Sequence, residues 1–199
     1  MDPTPQDKAH FQAQEWCRPL LTSKDYTLIP TYSRIPKPST TEDSLTAETL
    51  NTPDTISACL SFYKNPSPEP TNGRVDHEIR VLASLQRGVN GGPNVAHGGF
   101  IVVLLDDTMG ALIGAINLYE SRGRSEGVQG VEISNAVTAE LNVKFLKPVL
   151  TPQDVEVVAW MREKKGRKCF IDGEVRDKNG VVMASAEALW ILMRPKGKL

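Results

Sequence analysis

Two adjacent carboxylates, Asp106 and Asp107, stand in the middle of a stretch that is otherwise almost wholly apolar, NVAHGGFIVVLLDDTMGALIGAINL at 94–118. Taking a carboxylate out of water is costly unless it is paired, hydrogen-bonded or neutralised. An acid at an apolar border also gains basicity by partial desolvation, and can then take a proton from water. Nine residues before Asp106 is His97, followed directly by Gly98 and Gly99. At the start of a helix, two glycines leave the first backbone N–H groups uncovered, without intrahelical acceptors and at the positive end of the dipole. Such groups can receive a developing oxyanion. A base and an oxyanion donor are two parts that hydrolysis of an activated acyl group requires.

A helix must hold these parts. On a 100° wheel counted from Gly98, Ile101, Leu105, Met109, Leu112, Ile113 and Ile116 form one bulky face. Gly110, Ala111 and Gly114 lie opposite with Asp107, and Asp106 falls at the border. The two carboxylates are about 100° apart and do not serve one point equally. Asp106 is about 12 Å from Gly98 along the axis, at 1.5 Å per residue. If both act on one bond, a second copy of the chain must bring its aspartate to the first copy's glycines. The run is long enough to raise a membrane helix, but two aspartates near its centre argue against a span.

Strands must surround the helix. TISACLSFY and EIRVLASLQ alternate, the second with Ile79, Val81, Ala83 and Leu85 on one side. After a polar stretch at 121–130 come four strand-like runs with no helix between them, AVTAELNVKFL, DVEVVAWMRE, KCFIDGEVRD and VVMASAEALWIL. In the first, Val137, Ala139, Leu141, Val143 and Phe145 share one side, and Thr138 and Lys144 share the other. Asn179-Gly180 marks a hairpin. Consecutive hairpins predict an antiparallel sheet with the helix on one face, an α+β fold. Residues 1–50 form an N-terminal extension, with a short helix over His10–Cys17 that ends near Pro19, then a Pro/Ser/Thr-rich connector. Residues 51–199 form the domain. The extension could cover a pocket or bolster an oligomer.

Forty per cent hydrophobic residues allow a sizeable core, and a formal net charge of −1 gives no pull toward nucleic acid. Three scattered cysteines and three scattered histidines match neither a disulfide scaffold nor a zinc site, so no metal is expected, and a reducing, cytoplasmic setting is. The glycines at 88, 91 and 92 match no nucleotide fingerprint, and no Gly-x-Ser-x-Gly elbow occurs.

His97-Gly98-Gly99, the apolar run to Asp106, Thr138–Pro148 with its Lys147-Pro148 ending, and Gly166-Arg167-Lys168 together resemble the hotdog-fold acyl-CoA thioesterases. The likeness is to the phenylacetate-thioesterase and human thioesterase-superfamily type, within the 4-hydroxybenzoyl-CoA thioesterase superfamily, over roughly residues 55–195. It implies a hotdog fold, a long central helix wrapped by a curved antiparallel sheet. It implies hydrolysis of an acyl-CoA to acid and CoA without a cofactor, in a homodimer or dimer of dimers whose site crosses the subunit interface. Asp106 would be general base or nucleophile, and the Gly98 N–H, with Gly99 beside it, would meet the thioester carbonyl. Thr138 would help hold the attacking water, and His97 would cap the turn or move a proton. Lys147, Arg167 and Lys168 are the candidates for the CoA phosphates, among the cations at 144, 147, 164, 165, 167 and 168.

The chain departs from the family at one place. Several members carry Asn six residues before the His; here that position is Gly91, and a branch of the family lacks the Asn too. Two other functions compete. A hotdog dehydratase or hydratase would pair an Asp with a His, but no His follows His97. A non-catalytic acyl-thioester-binding module is the third.

Overall fold

In a computed structural model of the chain, residues 4–65, 76–122 and 136–193 are described. Most of residues 65–73, between the first two strand-like runs, and the polar stretch read at 121–130 beyond its first two residues, lie outside them.

The central element is the helix α3 (Gly98–Arg122), 25 residues long. Among the described residues it is the one helix long and apolar enough to cross a membrane. Here its apolar face is taken up by protein: Leu105, Met109 and Leu112 are fully buried in the main core. That face packs on a seven-stranded sheet built from β1 (Tyr26–Ile29), β2 (Ile56–Lys64), β3 (Glu78–Leu85), β6 (Ala136–Phe145), β7 (Gln153–Lys165), β8 (Lys168–Arg176) and β9 (Val182–Leu192). The order is β1-β2-β3-β7-β8-β9-β6, and every neighbouring pair is antiparallel. The helix follows β3, and the chain re-enters the sheet at its far edge as β6. The α+β class and the hotdog arrangement stand, and all six strands expected from the sequence form.

Local chemistry explains the turns. Gly166 and Gly180 have φ of 58° and 75°, which suits glycine. At the second turn the Asp177 carboxylate accepts the N–H groups of Asn179 and Val181, both at 2.9 Å. Gly173 lies under the helix, where an added Cβ would come within 2.8 Å of the Met109 methyl. Its bare backbone lets α3 lie close to the sheet. A small hairpin of β4 (Asn90–Gly92) and β5 (Val95–Ala96) leads into the helix.

Residues 4–50 differ from the expected picture in detail. No helix runs over His10–Cys17. Instead α1 (Pro5–Gln12) starts at Pro5, with Thr4 accepting the Asp7 N–H at 3.1 Å. A 3-10 turn (Glu15–Cys17) follows, and Pro19 stands in the first turn of α2 (Arg18–Thr22). Proline begins helices as readily as it ends them, because its missing N–H is an orphan at that position anyway. Just ahead of the connector lies β1, an edge strand of four residues, too short to show alternation. Phe11 and Cys17 join Ala58, Leu60, Phe62 and Leu82 in a second core on the sheet face away from α3. Both faces of β2 are therefore buried, and its apolar alternation marks the side turned to the N-terminal helices.

Candidate functional site

The start of α3 is built around His97. Its Nδ1 accepts the Gly99 N–H at 2.9 Å, and its carbonyl accepts the Ile101 N–H at 3.1 Å. His97 thus caps the turn. As the first helical residue, Gly98 has no intrahelical acceptor for its N–H. It lines a cavity of about 340 Å³ with Phe145, Lys147 and Val149. Gly91 packs so tightly on His97 that an added Cβ would come within 2.6 Å of the imidazole. No side chain fits at that position in this arrangement, which gives the departure at 91 a steric reason. The neighbouring Asn90 is engaged by the Thr151 hydroxyl.

Asp106, two turns on, meets Thr138, whose hydroxyl donates to the carboxylate at 2.7 Å. The alternation read in β6 would have put Thr138 opposite Leu141 and Val143. The structure corrects this. The pairing of β6 with β9 slips by one residue between Thr138 and Glu140. A bulge of this kind re-aims the side chains beyond it. Thr138, Leu141 and Val143 consequently face Trp190, Ala188 and Ala186, all in the main core. Lys144, expected on the Thr138 side, pairs with Ser185 on the opposite one. The bulge leaves no mark in an alternating sequence.

Asp107 reaches a different partner. Its carboxylate accepts the Ser33 hydroxyl at 3.0 Å. Burial pushes its pKa from the ordinary 3.8 up to about 6; the carboxylates of Asp43 and Asp106 push the same way, and the Ser33 hydrogen bond and Arg34 oppose. Both aspartates line a cavity of about 500 Å³ between α3 and residues 29–43. The bulky helix face fills the sheet core, and the cavity lies largely against the slim one, at Gly110, Ala111 and Gly114. Ser33 and Lys37 were not foreseen, because nothing in local spacing ties residue 33 to residue 107.

The three expected phosphate cations are not brought together within one chain. Lys147 shares the Gly98 cavity, and its N–H bonds to Met183 at one end of β9. Arg167 bonds to Leu192 at the other end, with Lys168 beside Ile191, about 30 Å away along the strand at ~3.3 Å per residue. All three are exposed. Burial pushes the thiol of Cys17 up to about 12 and that of Cys59 up to about 11, and raises that of Cys169 too, which disfavours the thiolate at all three.

Within a single chain the two candidate features therefore lie in two cavities. Gly98 and Lys147 line one, and Asp106, bonded to Thr138, lines the other. The Thioesterase superfamily profile matches residues 93–184, which hold both. The chain is similar to verlamelin biosynthesis protein B of Lecanicillium sp., at 29% identity over 192 residues, covering 87% of this chain and 83% of that protein. That similarity extends well outside the thioesterase-superfamily segment. Among solved structures the chain is similar to the yhdA protein of Lactococcus lactis, at 14% identity, 70% of this chain, 95% of that one and a TM-score of 0.56. It is also similar to PaaI from the phenylacetic acid degradation operon of E. coli, at 16% identity, 59% of this chain, 73% of that one and a TM-score of 0.48.

Proposed function

We propose that the protein hydrolyses acyl-CoA thioesters as a homodimer, or a dimer of such dimers, with each site shared between two subunits. The carrying observation is the Asp106–Thr138 pair at one cavity, with Gly98 about 12 Å back along the same helix. Base and oxyanion donor must each come within about 3 Å of the reacting group. One chain does not meet that condition; in this reading two antiparallel helices side by side bring the groups together.

In this reading the Gly98 N–H and the helix dipole polarise the thioester carbonyl. The partner's Asp106, steadied by the partner's Thr138, takes a proton from water as the oxygen attacks the carbonyl carbon. The tetrahedral oxyanion collapses, the C–S bond breaks, and the thiolate of CoA leaves and regains the proton from Asp106. His97 fixes the turn that aims the N–H. Lys147, beside Gly98, faces the CoA phosphates, and Arg167 and Lys168 reach them only if the partner's end of the sheet is brought alongside. A cytoplasmic setting suits three free, buried cysteines. The similarity to verlamelin biosynthesis protein B supports a place in a biosynthetic route.

Thiol release over a panel of acyl-CoA substrates tests this. Asp106→Asn keeps size and the Thr138 contact but removes the base, so kcat should fall about 10²–10⁴-fold with the melting temperature preserved. Undiminished turnover in that variant would refute the role of Asp106. Tight acyl-CoA binding with no release by the native chain would favour the non-catalytic binding module.

A further inference from the structure

We infer that the cavity beneath residues 29–43 holds the acyl chain of a fatty acyl thioester, and that Gly114 sets how long a chain it admits. This deepens the thioesterase reading and rests on it for the thioester end.

The cavity opens onto the Asp106 carboxylate and runs along the helix as far as Leu118. That wall is about 18 Å long at 1.5 Å per residue, and about 500 Å³ lies within the range of small-molecule sites. Ile29, Ile79, Ile113, Ala136 and Trp190 make much of it apolar. Its charged groups are Lys37, Glu42, Asp43, Asp106 and Asp107, and Lys37 is bridged to both Glu42 and Asp43. The acids outnumber the one cation, so the lining repels phosphate. It suits the uncharged part of an acyl-CoA and turns the nucleotide part away. The CoA moiety is then left to the Gly98 side, where Lys147 stands.

The wall opposite the helix is a fixed part of the fold. Thr31 bonds Ser61 at 2.7 Å, Ser33 bonds Asp107 at 3.0 Å, and Arg34 donates to the Ile56 carbonyl at 2.9 Å. It lies outside residues 93–184, so this chain builds its pocket with a segment that the superfamily match does not include.

Gly114 carries the size argument. Glycine is the poorest helix former after proline, yet it stands in the middle of α3. Gly110 has a packing reason, since an added Cβ would come within 3.1 Å of the Trp190 ring. Gly114 has none: a Cβ there meets nothing within 4 Å. What a side chain at 114 would occupy is the cavity itself, about 12 Å along the helix from Asp106. Leaving it bare keeps the far half of the pocket open.

The test uses binding of unhydrolysable thioethers, S-ethyl-CoA and S-dodecyl-CoA, by calorimetry on the full chain, alongside thiol release from dodecanoyl-CoA. Each buried methylene multiplies affinity about threefold to fourfold, so the native protein should prefer the dodecyl ligand at least hundredfold. Gly114→Leu should cut that preference at least tenfold, with a melting temperature no lower than native, since leucine favours the helix. Equal affinity of the native protein for the two thioethers would overturn the inference. So would an unchanged preference in Gly114→Leu. The expected preference and its collapse, without thiol release from dodecanoyl-CoA, would leave the acyl pocket standing and refute the hydrolase reading alone.

Discussion

A shared site makes a prediction that no single-chain site shares: two dead proteins should make a live one. The first partner is Asp106→Asn, which has no base. The second is Gly98→Pro, which has no N–H to meet the oxyanion. Proline is well tolerated at the first helical position, and a Cβ at Gly98 meets only the Phe145 ring, at 3.5 Å. Gly98→Ala makes the same contact, keeps the N–H and serves as the control that should retain activity. Each homodimer has both sites broken, and loss of one oxyanion donor or of the base should lower kcat about 10²–10⁴-fold. In a mixed dimer, the Asp106→Asn chain supplies an intact Gly98 and the Gly98→Pro chain an intact Asp106, so one of two sites is whole. Separating the mixed dimer by two affinity tags and measuring thiol release should give about half the native kcat. The 12 Å between the groups along α3 excludes rescue within one chain. A mixed dimer no more active than its parents, with both variants folded, would refute the shared site.

The remaining predictions concern two places where the N-terminal segment packs on the domain, at Asp107 beside Ser33 and at Phe11. Asp107 has its folded pKa raised from 3.8 to about 6, so it favours the folded state below about pH 4, and that contribution is lost as pH rises through 6. The loss is at most about 3 kcal/mol. Asp107→Asn cannot titrate, so its melting temperature relative to native should climb between about pH 4 and about pH 7. A difference that stays flat with pH would contradict the burial of that carboxylate. Phe11 is fully buried in the second core, and Phe11→Ala should cost about 3–5 kcal/mol. Thermal melting should fall by roughly 10 °C. An unchanged melt would show that the first helix is not part of the cooperative unit.

The helix, the six long strands and the spacing of Gly98 from Asp106 were legible in the sequence. A period of 3.6 in 98–122 and a period of 2 in the strands are local, because each residue's face follows from its own position along the element. The separation of Gly98 from Asp106 is likewise fixed by helix rise, and with it the need for two chains if they share a bond. His-Gly-Gly with an acid nine residues on was legible for the same reason, since all its members sit on one helix and its entry.

Tertiary structure decided the rest. The bulge that turns Thr138 toward Asp106 depends on pairing between strands some fifty residues apart, and alternation on one strand does not encode it. The four-residue β1 forms only because β2 offers a free edge. Packing, too, determined which face of α3 borders the pocket. The wheel separated bulky from slim residues, but the bulky side filled itself against the sheet. The slim side was left for residues 29–43 to roof, through contacts such as Ser33 to Asp107 that join positions 74 apart. Side-chain volume along one element is a sequence property; the space left over after packing belongs to the whole fold.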